Sequence, residues 1–337
     1  MKTQAPEKEK RKPDDHPPER PPKHGARTED PFAVDREPRG RGPTDGRSDT
    51  STRSKLLIPY YPKDVGDRTE PFPPGVISWL CEGIQILMPD GTPHLGKLDR
   101  GVTYKVRVDV SNAGSRLASA EVAVYWADPS AGFGPPHLRR KPELGPSRTL
   151  SAAPGTTDRT TTINLAPTAT TPDHICLIAV VSAFDDSPSG SWNPLADRHY
   201  AQHNVDIVHV DQGGIGTFWF FATNPLPEAA TLTIRIHPTS AEALHTLSRR
   251  FGADWRELRS GAVGVALSDR GRLERADSEL EIELGAGERR LCQGLVSAEG
   301  LRRGEVSAVT VEMIAMPARG ATETVGRGSF GAIVFTD

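Results

Sequence analysis

Between Tyr104 and Val110 apolar and polar side chains alternate without interruption, with Tyr104, Val106, Val108 and Val110 on one side and Lys105, Arg107 and Asp109 on the other. A period of two cannot be laid on a helix, whose faces repeat about every 3.6 residues, so this stretch reads as a strand with one buried and one wet face. Ser111, Asn112, Ala113 and Gly114 supply a turn, and Val122, Val124 and Trp126 resume the alternation. From Ile175 to Val181 every residue is apolar, which predicts a central strand covered on both faces. The pattern specifies layered antiparallel sheets, and the fold class expected is all-β.

Further strands are expected at 84–88, 160–165 and 205–210, completing a first β-sandwich over residues 75–210. A second sandwich is expected over 213–337, with Gly213, Gly214 and Gly216 as its linker and strands at 217–222, 231–237, 262–267, 280–284, 308–316 and 329–335. Between 240 and 259 the period changes. Ala243, Leu244, Leu247 and Phe251 recur at helical spacing behind Thr239 or Ser240 as N-cap, so a short helical insertion is predicted, with Gly252 placed to split it.

Ahead of the sandwiches, residues 1–55 are rich in Pro, Arg, Lys, Asp and Glu and hold almost no large apolar side chain besides Phe32. Such a segment buries too little surface to offset the entropy of ordering, and it is read as a disordered, solubilising arm, with partner docking as the alternative. Over 56–74, Leu56, Leu57, Ile58, Tyr60 and Tyr61 require burial while Pro59, Pro62, Pro71, Pro73 and Pro74 exclude a helix, which predicts an extended strap on the first sandwich.

The chain has 337 residues and a net charge of −3, without the basic excess that nucleic-acid or membrane-surface binding would call for. No run of about 18 apolar residues is present, so no membrane insertion is expected. The first residues run into charge and proline rather than an apolar core, and Cys81, Cys176 and Cys292 are an odd, sparse set. A cytoplasmic location, or export without a standard signal peptide, is the expectation.

The segment Tyr104-x-Val-x-Val-x-Val-Ser-Asn-x-Gly114 followed by Val122-x-Val-Tyr-Trp-Ala-Asp-Pro129 resembles the immunoglobulin-like modules of bacteria typified by the CARDB (cell-adhesion-related) family. Cys176 to Val181, Asp185 and Asp186, and Ala201 to Ile207 are similar to the last two strands of such modules. The resemblance covers about 110 residues, 84–210. It implies a seven-stranded sandwich with a binding or spacing role rather than an enzyme; no family is recognised for the second half, and the fold expected from the strand pattern is two immunoglobulin-like sandwiches in tandem. The chain departs from the family in its long Pro/Arg-rich loop, 127–160, and in lacking a secretion signal.

Four motifs were weighed for chemistry. Gly326-Arg327-Gly328-Ser329-Phe330-Gly331 matches a phosphate-cradling pattern, but no helix follows it, and a turn into a final strand is favoured. His199 and His203 have the spacing of two zinc ligands on a helix, yet Tyr200 stands where a metalloprotease needs Glu and the flank reads as a strand. Asp185, Asp186 and Asp197 gather carboxylates in one loop, a weak possibility for calcium, and Trp192 in the same loop is either a recognition aromatic or folded on the sheet. Cys81, Trp126 and Cys176 echo an immunoglobulin order, with buried thiols preferred to a disulfide.

No catalytic signature is assembled. The expected function is a non-catalytic binding or assembly module that presents loops and sheet edges to a protein partner, or to a glycan, with Asp185, Asp186, Trp192 and Asp197 as candidate binding residues. Two alternatives stand beside it: a metal-dependent hydrolase using the 185–203 loop, and a structural component of a larger particle such as a secretion apparatus. Oligomeric state is left open.

Overall fold

The computed structural model describes residues 53–68, 72–95, 98–127, 144–160, 162–169, 171, 176–190, 192–259, 261–267, 278–317 and 326–337. All lie in one compact unit, Asp45–Asp337. Residues 1–52 of the expected arm and 128–143 of the expected long loop fall outside them.

The alternating segment becomes β3 (Tyr104–Asn112), half-buried and buried in strict turn along its whole length. It is the centre of a five-stranded sheet with β1 (Leu56–Leu57), β2 (Ile84–Leu87), β6 (Thr157–Arg159) and β7 (Ile163–Leu165), each antiparallel to it. Facing it is a four-stranded sheet in the order β5 (Arg148–Ala152), β4 (Ala118–Ala127), β8 (Cys176–Ser182) and β9 (Tyr200–His203). Val106, Val108 and Val110 share one core with Val122, Val124, Leu177 and Ala179. The second face of β8 is covered as well, by Trp192 and Tyr200, which is why its sequence is apolar throughout.

In the second half, a six-stranded sheet runs β10 (Val205–Val210), β18 (Gly326–Thr336), β17 (Glu305–Pro317), β12 (Ala230–Pro238) and β15 (Glu279–Leu284), with β13 (Asp254–Trp255) also on β17. One of its faces is covered by a three-stranded sheet in the order β11 (Ile215–Thr223), β16 (Arg289–Ser297) and β14 (Val263–Leu267). Phe218, Phe220 and Phe330 meet in that core, the rings of Phe220 and Phe330 5.0 Å apart and edge to face. The other face takes α1 (Ala241–Phe251), whose Ala243, Leu244 and Leu247 cluster with Ile77, Trp79, Val306, Ala308 and Ile333. Ser240 caps the helix by accepting from the Ala243 N–H, and Gly252, at φ 72, ends it.

Several expectations need correction. The strand at 205–210 does not close the first sheet pair. It pairs parallel with β18, from Val205↔Gly331 to Val210↔Thr336, because only there do both of its faces find apolar cover: Val208 and Val210 in one cluster, Ile207 in the other. The expected strand 160–165 shortens to β7, since the Thr160 hydroxyl accepts the Val108 N–H and interrupts the ladder between β6 and β7. The helical insertion stops at Phe251 rather than 259, and Trp255 lies in β13. Strand β16 escapes the pattern because it begins with Arg289 and Arg290 and contains Gly294. That glycine is required: a Cβ there would stand 2.1 Å from the Phe218 ring.

Candidate functional site

The 185–203 region is built around one buried imidazole. His199 Nδ1 lies 2.6 Å from Asp197 Oδ1 and its Nε2 lies 3.1 Å from Asp186 Oδ1. Burial alone would lower its pKa, but the two carboxylates outweigh that and raise it. Asp197 responds in the opposite sense: against the effect of burial, hydrogen bonds from His199 and from the Ser189 N–H hold it well below the usual carboxylate range. Asp186 also accepts the Leu56 N–H and the Arg198 guanidinium, each at 2.5 Å. Asp185 accepts the Ser54 hydroxyl at 2.7 Å. Three of the four predicted binding residues are thus brought together: Asp185 and Asp186 accept donors from residues 54–56, and Asp197 accepts donors of the loop itself.

Trp192, the fourth, is buried. It packs edge-on to Tyr125 at 5.3 Å and against Tyr200 at 5.2 Å, as part of the cover on β8. His203 lies in β9 rather than on a helix with His199, and burial, with Arg250 nearby, lowers its pKa to about 3. Among the described residues no group of three or more His, Cys, Asp or Glu is arranged to hold a metal ion. Cys81 and Cys176 are buried in different clusters, on the two sides of the four-stranded sheet. The glycine motif at 326–331 lies inside β18, where Gly331 makes room for Trp79: a Cβ would stand 2.5 Å from the indole. The Trp79 indole N–H donates to Thr310 Oγ1 at 3.0 Å.

Two features were not read from the sequence. One is a cleft of about 510 Å³ between the strap and the wet face of β3. Its floor is polar: Gln85, whose amide oxygen accepts from Arg107 behind it, Asp109 with Arg159 at 2.9 Å, and Ser111 with Thr157 at 2.7 Å. Burial raises the Asp109 pKa in spite of Arg159 and Arg107. The sequence signal was there, since each polar residue of β3 stands opposite another polar residue, but it needs the register to be seen.

The other is the outer face of the three-stranded sheet. Ile215, Trp219 and Leu291 are exposed there (72%, 45% and 36%), and the Arg289 guanidinium lies over the Phe221 ring at 4.5 Å. β11 stands at the edge of that sheet, paired only with β16 among the described residues. It has no charged residue and no proline over nine positions. By contrast β15, at an edge of the six-stranded sheet, carries Glu279, Glu281 and Glu283 on its exposed side. The signal in β11 is a run that is aromatic on both faces, more than a half-buried strand needs.

No helix among the described residues is long and apolar enough to cross a membrane. No protein-family model matches the chain, and no curated protein does. Among solved structures, the chain is similar to the ASH/PapD-like domain of human CEP192 (9% identity, 40% of this chain and 80% of that one, TM-score 0.27). It is also similar to a putative carbohydrate binding protein from Bacteroides ovatus (10%, 39% and 35%, TM-score 0.28). A third is the CupB6 tip adhesin from Pseudomonas aeruginosa (10%, 75% and 99%, TM-score 0.21).

Proposed function

We propose that the chain is a non-catalytic binding module of two immunoglobulin-like sandwiches, the first of the CARDB kind, that engages a protein partner by strand addition at β11. The observation that carries this is the β11 edge itself. Natural edge strands are guarded by charge, proline, shortness or a covering segment, and β11 has none of these among the described residues while exposing Ile215 and Trp219. An added strand would take its affinity from main-chain hydrogen bonds and its selectivity from side chains alternating along Ile215, Thr217 and Trp219. The loop carboxylates support a role without catalysis, since Asp185 and Asp186 hold residues 54–56 to the loop and Asp197 is bonded within the loop to Ser189 and His199.

Panning a random peptide library on the full chain tests the reading. Selected peptides should be extended, with alternating apolar residues, and should protect β11 amides from hydrogen exchange. Trp219→Glu should weaken them by about tenfold or more, a usual loss for an aromatic anchor. Peptides indifferent to Trp219→Glu and Ile215→Lys would overturn it. A second reading, glycan binding, is favoured by a separate observation, the cleft beneath the strap.

A further inference from the structure

The cleft between the strap and β3 lies on the first sheet pair, away from β11, so this inference and the strand-addition reading fail separately. We propose that the cleft is a binding site for a neutral oligosaccharide. At about 510 Å³ it falls within the range of small-ligand pockets, roughly 300–1,000 Å³.

The floor decides the ligand's polarity. On the lining Asp109 is matched by Arg159 and Ser111 by Thr157, while the neutral Gln85 amide oxygen accepts from Arg107, which is not itself a lining residue. Each pair keeps spare capacity, because a carboxylate accepts and a guanidinium donates several hydrogen bonds and each uses one or two here. Donors and acceptors therefore alternate along the floor at the spacing of strand residues, which suits a chain of hydroxyl groups.

The surrounding charges balance too. Lys63 and Glu82, without hydrogen-bond or ion-pair partners among the described residues, stand on the cleft with opposite signs, and Asp64 is cancelled by Arg68 at 2.9 Å. With charges of both signs on its lining, the cleft has no one-signed patch to concentrate an anion or a cation. Opposite the polar floor, Pro59, Pro62 and the half-buried Tyr61 make an apolar wall. A sugar ring is amphipathic in the same sense, with C–H faces and an O–H rim, so it satisfies both sides at once.

The wall is also preorganised. Asp64 accepts the Tyr60 and Gly66 N–H groups at 2.9 and 2.7 Å, and the turn holds Lys63 at φ 67, a conformation seldom adopted by lysine. An extended peptide is a poorer occupant, because both flanks of β3 are already paired, by β1 and β2 and by β6 and β7, leaving no ladder to join.

The test is saturation-transfer NMR and titration calorimetry on the full chain with short oligosaccharides of β-glucan, mannan, xylan and chitin, beside a lysine-rich peptide and inorganic phosphate. At least one neutral sugar should bind at millimolar concentration or below, with little dependence on salt. Thr157→Trp, which fills the cleft from an exposed position, and Glu82→Ala should each weaken it about tenfold, while Trp219→Glu leaves it unchanged. Should Thr157→Trp disturb β6, Glu82→Ala and Gln85→Ala decide alone. Silence from every neutral sugar, binding that survives these changes, or binding of only the peptide or phosphate would overturn the proposal.

Discussion

The outer face of the six-stranded sheet and the outer face of the three-stranded sheet belong to the same pair of sheets, and each meets a tryptophan in a different way. On the first, Trp79 arrives from outside and sinks between Gly331 and Thr310, with α1 beside it. On the second, Trp219 belongs to the sheet and is left 45% exposed. The covered face is lined by small residues, Gly331, Ser329 and Ala308, that leave space for a visitor. The bare face is lined by large ones and offers itself as the visitor.

Around Trp79 the two sheet pairs are also bonded through polar groups. Asn204 receives the Gly331 N–H on its carbonyl, donates its own N–H to the Trp79 carbonyl, and donates its side-chain amide to the Ser329 carbonyl. Arg250 on α1 donates to the carbonyls of Leu80, Cys81 and Ile84. Buried polar groups bonded across the two sheet pairs in this way favour a joint with one arrangement over a hinge.

The contrast breaks most severely if the buried tryptophan is removed. Trp79→Ala should cost about 4 kcal/mol by denaturant titration, from lost burial, the cavity left behind and the lost indole bond to Thr310, whose hydroxyl keeps Thr239 as a partner. Gly331→Ala should cost about 2 kcal/mol or more, because the added methyl meets the indole. An effect of about 3 kcal/mol is expected for Asp186→Asn, which takes the shared charge from His199 and Arg198 and leaves them only Asp197 and the Leu56 carbonyl.

A pH series of melting temperatures sharpens the picture. His199 has a raised pKa in the folded chain, so its contribution is complete below its unfolded value and is lost as pH rises through the folded one. Asp197, held low, contributes above the ordinary carboxylate range and loses that contribution as pH falls. His203, lowered to about 3, contributes fully above the ordinary histidine value and less as pH falls towards 3. His199→Gln should therefore flatten the alkaline decline, and His203→Leu should flatten part of the acid one. Trp219→Glu should change stability least, by about 0.5 kcal/mol, since an exposed side chain has little packing to lose. A Trp219 variant as damaging as Trp79→Ala would erase the distinction between the two faces.

Much of the skeleton was legible beforehand because strand periodicity is local. β3, β4, β8, β11, β12, β15, β17 and β18 all follow from alternation or apolar runs, and α1 from spacing and its Ser240 cap. What was hidden was non-local. Arg148–Ala152 looks polar until β4 lies beside it, and Arg289–Ser297 looks broken until Phe218 occupies the space over Gly294. The candidate site divides in the same way: Asp185, Asp186 and Asp197 are close in sequence, but nothing local said that Ser54 and Leu56 would supply donors to the first two.

The sequence by itself determined the strands whose side chains alternate or run apolar and which of their faces is buried, since backbone sterics and side-chain alternation act over a few residues. Only the tertiary structure decided which sheet each strand joined, that Val205–Val210 left the first pair for the second, and that one apolar face was covered while the other stayed bare. Those choices depend on matching surfaces far apart in the chain, where a glycine's missing methyl or a tryptophan's reach sets which contacts can close.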